Sequence, residues 1–101
     1  SALIKLSDTL FWNKKTQELI DNNQAVKLTK KELILISLLL KYPEKTNNNE
    51  EIISLMWADD FDKNPDITNL KNIISRLRKK VPSLNIENIY SFGYKIHTTL
   101  D

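Results

Sequence analysis

The sequence predicts an α+β fold: a four-stranded antiparallel meander, three helices and a C-terminal β-hairpin, in one domain spanning residues 1–101. Three observations carry this expectation. Residues 1–28 are short apolar runs separated by polar turn clusters. Between residues 29 and 81, capping-type residues stand ahead of three apolar-periodic stretches, the signature of helix starts. Near the C-terminus, two β-branched and aromatic runs flank the only glycine, Gly93, as expected of a hairpin.

The meander comes first. Its predicted strands are residues 3–6, 10–13, 18–21 and 25–28, with Asn13-Lys14-Lys15-Thr16 and Asp21-Asn22-Asn23-Gln24 as turns. Strands this short must lean on another element for stability. Thr29-x-x-Glu32 is a capping box that opens the first helix, which Pro43 ends. Leu33, Ile36, Leu39 and Leu40 make one stripe, and Leu35 and Leu38 widen it. A helix this apolar is buried on most sides or contributes to an interface. Asn48-x-x-Glu51 is a second box, starting a helix over about 49–57. A polar loop, 58–65, leads to a third helix, capped by Asp66 and closed by Pro82. The hairpin is expected over 86–98.

The third helix is the informative element. Leu70, Ile73, Ile74, Leu77 and Val81 recur at i, i+3, i+4, i+7 and i+11, a core stripe. At about 100° per residue, the opposite face centres on Thr68, Asn72, Ser75 and Lys79. Lys71 and Arg78 flank it on one side, Asn69 and Arg76 on the other. Segment 66–81 holds five cationic residues against Asp66, a net +4, whereas the remainder, with ten bases and twelve acids, is net −2. One segment therefore carries the whole excess, the footprint of a polyanion-binding element. The chain uses 13 Lys but only two Arg, and both, Arg76 and Arg78, lie here. Arginine offers a planar fork suited to guanine edges and phosphates that lysine cannot copy. Three helices with a basic outer face on the third, followed by a hairpin, make a winged helix-turn-helix.

Four motifs, in order, extend this reading. Leu28-Thr29-Lys30-Lys31-Glu32 resembles the L-T-x-x-E opening of the OmpR/PhoB-type effector domain of bacterial two-component response regulators. Leu55-Met56-Trp57 is similar to its L-x-x-x-V-W helix end. Ile74-Ser75-Arg76-Leu77-Arg78-Lys79-Lys80-Val81 resembles its I-x-R-L-R-x-K-L recognition helix, and Ile89-Tyr90-Ser91-Phe92-Gly93-Tyr94-Lys95-Ile96 its wing. The resemblance implies double-stranded DNA as partner, direct-repeat operators, a head-to-tail dimer on DNA, an N-terminal receiver domain and a cytoplasmic location. It implies DNA contact by Arg76 and Arg78, groove-facing positions at Asn69, Lys71, Asn72 and Ser75, a phosphate donor at Trp57, and wing contacts at Asn88 and Tyr90. Thr68 and Lys79 join them from the helix face. Three positions depart from the pattern: Ser91 replaces the first wing glycine, Tyr90 the wing arginine, and Ile73 a histidine in the helix.

Composition narrows the rest. With no cysteine, a disulfide scaffold, a Cys-ligated zinc and a thiol nucleophile are excluded. One histidine, His97, excludes a multi-histidine metal site, and one glycine excludes a Gly-rich phosphate loop. No enzyme and no cofactor is expected. The longest apolar run, 33–40, is broken by Ser37 and too short for a bilayer. No leader pattern opens the chain, and Ser1 in place of Met fits an excised segment. Asp60, Asp62 and Asn64 match three positions of a calcium loop, but Pro65 and Lys71 stand where glycine and glutamate belong, against metal binding. The resemblance gives this acidic loop, Asp59, Asp60 and Asp62, a different role: contact with RNA polymerase. A winged-helix protein-interaction module with weak DNA binding is the competing reading, through the apolar first helix or the acidic loop.

Overall fold

The computed structural model describes residues 2–61 and 63–99. In chain order the elements are β1 (Leu3–Lys5), β2 (Leu10–Asn13), β3 (Glu18–Asp21), β4 (Gln24–Ala25), α1 (Lys30–Leu40), β5 (Asn47–Asn48), α2 (Asn49–Met56), α3 (Ile67–Lys80), β6 (Ile86–Ile89) and β7 (Gly93–Ile96). The expected α+β winged architecture is present.

The meander forms a sheet of order β1-β2-β3-β4, each strand antiparallel to its chain neighbour. Alternation places Leu10 and Trp12 of β2 and Leu19 of β3 in the core, as a one-sided sheet requires. Asn13 holds the β2–β3 turn, its side-chain oxygen accepting from the Lys15 and Thr16 N–H groups at 2.9 and 3.1 Å. Asn22 and Asn23, at φ 50° and 66°, make the two-residue turn into β4, the positive-φ pair that matches strand twist. The fourth strand differs from expectation. It pairs only at Gln24 and Ala25, not over 25–28. Val26 still donates to the Leu19 carbonyl at 2.8 Å. The chain then leaves the sheet, because Leu28 packs against the core and Thr29 must serve as a helix cap.

Thr29 and Glu32 close the expected capping box: the Thr29 hydroxyl accepts from Glu32 N–H at 3.2 Å, and Glu32 Oε1 accepts from Thr29 N–H at 2.9 Å. Leu35, Ile36, Leu39 and Leu40 of α1 are fully buried and form the centre of the core with α3. At α2, Asn48 Oδ1 accepts from Glu51 N–H at 2.8 Å. Only this half of the expected box is formed among the described residues. Asp66 caps α3 through Thr68 and Asn69 N–H, and Asn69 Oδ1 returns a bond to Asp66 N–H at 2.9 Å. Leu70, Ile73, Ile74, Leu77 and Val81 are all buried, so the core stripe is as expected.

The wing is a three-stranded sheet of order β5-β7-β6. Beyond the expected hairpin, β5 pairs with β7 through Asn47↔Tyr94 and Asn48↔Gly93. Gly93 is not the turn residue. The turn is Tyr90-Ser91-Phe92, with Ser91 at φ 57° and Phe92 N–H donating to the Ile89 carbonyl at 2.9 Å. Serine thus tolerates the left-handed conformation. Gly93 serves close approach instead: a Cβ there would stand 1.8 Å from the Asn47 carbonyl oxygen.

His97 clasps the base of the wing. Its Nδ1 meets Glu44 Oε1 at 2.7 Å and its Nε2 meets Glu87 Oε1 at 2.6 Å. Neutral imidazole donates from one nitrogen only, so this geometry suits the imidazolium. The Glu87 and Glu44 carboxylates together raise the His97 pKa. Beyond it, Thr99 N–H donates to the Lys5 carbonyl at 3.0 Å, fastening the last described residue to β1.

Candidate nucleic-acid interface

Strong amphipathicity positions the candidate residues. With one stripe of α3 locked into the core, Thr68, Asn69, Lys71, Asn72, Ser75, Arg76, Arg78 and Lys79 are all exposed. No acid lies within α3, and Arg78, Lys79 and Lys80 in its last turn complement the helix dipole.

The two flanks of α3 face different neighbours. On one flank, Lys71, Ser75, Arg78 and Lys79 meet Asn88 of β6 around a concavity of about 520 Å³, with buried Tyr94 in its wall. The structure therefore brings together five of the sequence-predicted residues from helix and wing. Arg78 is not wholly free for a ligand: one guanidinium N–H donates to the Ile86 carbonyl at 2.7 Å. Its partner is the backbone of the wing. The other donors of its fork stay available.

On the other flank, Arg76 lines a second concavity of about 500 Å³ with Thr29, Lys31 and Lys80. Lys80 is engaged within the protein: its ammonium meets Glu32 Oε1 at 2.6 Å and the Lys27 carbonyl at 3.1 Å. Glu32 is a buried carboxylate, only 4% exposed. Burial pushes its carboxyl up, but the Lys80 ammonium, Thr29 N–H and Thr29 hydroxyl together outweigh that and hold it below the usual range. The Thr29–Glu32 box is legible as a cap. Its partner 48 residues away leaves no local signal.

Asn69 belongs to neither concavity. It faces the α2–α3 loop with Trp57, Lys63, Asn64 and Pro65. Trp57 is half-buried against the core, and the Lys31 ammonium lies 5.0 Å from its ring centre. Lys31 also donates to the Met56 carbonyl and to Asp60, both at 2.7 Å, and this bond holds the Asp60 carboxyl below its ordinary range. One lysine thus closes the C-terminus of α2, orients the tryptophan and pins the acidic loop. Of the three loop acids, Asp59 is exposed, Asp60 is paired, and Asp62 lies outside the described residues. Phe61 between them is 94% exposed. Tyr90, 90% exposed, stands at the hairpin tip, away from the concavity that holds Asn88. Among the described residues no cluster of His, Asp or Glu has a geometry for metal: His97 meets its two carboxylates with opposite ring nitrogens.

Known proteins share this fold. The chain is 30% identical over 76 residues to the transcriptional regulatory protein CssR of Bacillus subtilis, covering 75% of this chain and 33% of that protein. It is 30% identical over 86 residues to the heme response regulator HssR of Staphylococcus aureus, covering 83% of this chain and 38% of that protein. It thus spans little more than a third of the length of these relatives. Among solved structures, the DNA-binding domain of Bacillus subtilis CssR superposes with a TM-score of 0.69 at 26% identity, covering 92% of this chain and 98% of that one. The DNA-binding domain of CpxR from E. coli gives 0.74 at 22% identity over 96% and 97%, and that of the response regulator AdeR, solved in complex with an intercistronic region, 0.71 at 20% over 94% and 99%. The latter two share the fold. The family described as "Transcriptional regulatory protein, C terminal" matches residues 23–96, and the chain belongs to this family of OmpR/PhoB-type C-terminal effector domains.

Proposed function

We propose that this chain is a single domain that binds duplex DNA sequence-specifically, as the effector part of a bacterial response-regulator transcription factor in the cytoplasm. One observation carries the reading: the acid-free face of α3 bears two arginines and two lysines, and the hairpin contributes Asn88 to the concavity that holds Lys71, Arg78 and Lys79. A helix fits the major groove, and a flanking hairpin reaches the adjacent backbone or minor groove.

In this reading Arg76 and Arg78 read base edges, and Lys71, Asn72, Ser75 and Lys79 contact bases and phosphates. Thr68, Asn69 and Trp57 approach the backbone beside the N-terminus of α3. Asn88 and Tyr90 supply wing contacts. Tyr90 carries no charge, so its contribution is stacking or a phenol hydrogen bond rather than a minor-groove cation. The wider assembly follows the family resemblance of the four motifs: an N-terminal receiver domain, direct-repeat operators and a dimer on DNA. The loop of Asp59, Asp60 and Asp62 repels DNA locally, which favours RNA polymerase as its partner. The Lys31–Asp60 pair shapes this loop and leaves Asp59 the more available acid. No helix among the described residues is long and apolar enough to cross a membrane.

The test is a salt titration of binding to random duplex DNA by fluorescence anisotropy, wild type beside the double variant Arg76→Ala/Arg78→Ala. Wild type should lose affinity steeply with salt, and the double variant less steeply. With a selected site in hand, Arg76→Ala should lose about 1–3 kcal/mol and relax base preference. Lys79→Ala should weaken all sequences alike. Absence of binding at low salt, even in a receiver-linked dimer, overturns the reading.

A further inference from the structure

Helix α1 carries a second stripe that is only partly covered, with Ile34 and Leu38 packed at the margin of the core. Ile34, Ser37, Leu38 and Lys41 lie at i, i+3, i+4 and i+7, one helix face, and Ile34, Ser37 and Leu38 are only partly covered. This stripe forms a wall of a groove of about 590 Å³. Leu55 of α2, 50% exposed, forms the facing wall. Trp12 lies at its base, and Lys14 in the β2–β3 turn stands at its rim. The groove shares no residue with the concavities around α3.

Its charge is one-sided. No acid lines it, and Lys14 and Lys41 stand at its edge. Among the described residues neither lysine forms an ion pair; the Lys41 ammonium lies 5.8 Å from the Tyr42 ring centre. An apolar floor with unpaired cations at the rim complements an apolar stripe flanked by carboxylates. The walls are helix side chains and a turn, with no open strand edge between them, so an extended peptide would find no backbone to pair with. The stripe from Ile34 to Lys41 runs about 10 Å at 1.5 Å per residue, the reach of two turns of a docked helix.

We propose that this groove docks an acidic amphipathic helix of a partner protein, with its apolar side chains at helical spacing between Leu38 and Leu55 and its carboxylates on Lys14 and Lys41. The proposal does not rest on DNA binding, since the α3 surface takes no part in it.

The probe is a synthetic helical peptide with a leucine stripe and glutamate flanks, titrated into the isotope-labelled protein and followed by amide chemical shifts. A control peptide carries lysine in place of each glutamate. The acidic peptide should move the amides of Ile34, Ser37, Leu38 and Leu55 and leave those of α3 unmoved, and the basic peptide should not bind. The double variant Lys14→Glu/Lys41→Glu should lose about tenfold in affinity for the acidic peptide and gain affinity for the basic one. Leu55→Glu, at a half-exposed position that tolerates a polar group, should abolish docking while leaving random-duplex affinity at its wild-type value. Equal binding of the two peptides, shifts centred on α3, or no response to the charge reversal overturns the proposal. Concentration-dependent shifts of the same amides without peptide also overturn it, naming a second copy of the chain as the occupant.

Discussion

The two sheets are built from strands of similar length by opposite means. In the N-terminal sheet every strand pairs with its neighbour in the chain. Asparagines supply its turns, Asn13 by side-chain bonds and Asn22 and Asn23 by positive φ. In the wing sheet only β6 and β7 are neighbours in sequence; β5 joins from across α2 and α3, on the far side of β7. The local sheet rests on turn chemistry. The non-local one rests on a steric vacancy at Gly93, on an arginine reaching over from α3 and on a histidine clasp. The lesson concerns glycine: the only one in the chain answers a need for space, whereas the left-handed positions among the described residues are filled by Gln17, Asn22, Asn23, Glu44 and Ser91.

The strongest way to break this contrast is Gly93→Ala. A Cβ at 1.8 Å from a backbone oxygen has no flexible neighbour to displace. We expect a loss of about 3 kcal/mol, a Tm lower by on the order of 15 °C, and selective loss of hydrogen-exchange protection in the wing sheet. Equal loss in both sheets would show that they unfold as one.

Arg78→Ala should come next, costing about 1 kcal/mol for the bond to the Ile86 carbonyl. Exchange at the β6 amides should accelerate, and Arg78→Lys should rescue phosphate attraction better than wing protection. An unchanged β6 would make Arg78 a surface residue only.

The His97 clasp gives a pH-dependent and smaller effect. The folded-state pKa of His97 lies above its unfolded value, so its contribution is complete below about pH 6.5 and is lost as pH rises through the folded value. Thr98 N–H and His97 together hold Glu44 below the usual carboxylate range, so this partner stays ionised throughout that window. Tm measured from about pH 6 to about pH 8 should fall, and His97→Gln should flatten the slope. A slope unaltered in the variant would assign it to another group.

The smallest effect sharpens the comparison from the other side. Asn23→Gly, at φ 66° in the β3–β4 turn, should stabilise by about 0.5 kcal/mol. Glycine is then gained at no loss in one sheet and lost at great cost in the other. Paired thermal melts of Asn23→Gly and Gly93→Ala test the sign of each.

What the sequence revealed follows the same division. Helix starts were legible because Thr29, Asn48 and Asp66 act within one turn, and the α3 stripe because its period is regular. The exposed face of Thr68, Asn72, Ser75 and Lys79 followed from that stripe. Strand β5 was not legible: two asparagines carry no alternation, and their partner lies beyond two helices. Gly93 stood out as the only glycine, but its role depends on the Asn47 carbonyl, which no local pattern announces. Lys31 and Lys80 are two of thirteen lysines, and no local pattern marks them out. Their bonds to Asp60 and Glu32 exist only once α1 lies against α2 and α3.

The bond from Thr99 N–H to the Lys5 carbonyl has a consequence for connectivity. Residues near the two ends of the described chain lie side by side, so a short linker could join them without crossing the molecule. New ends could then be opened in the polar loop 58–65, where Phe61 and Asp59 already face solvent. Such a circular permutant would keep the pairing of both sheets and the packing of the core, while the meander followed the wing in sequence and α1 and α2 closed the chain.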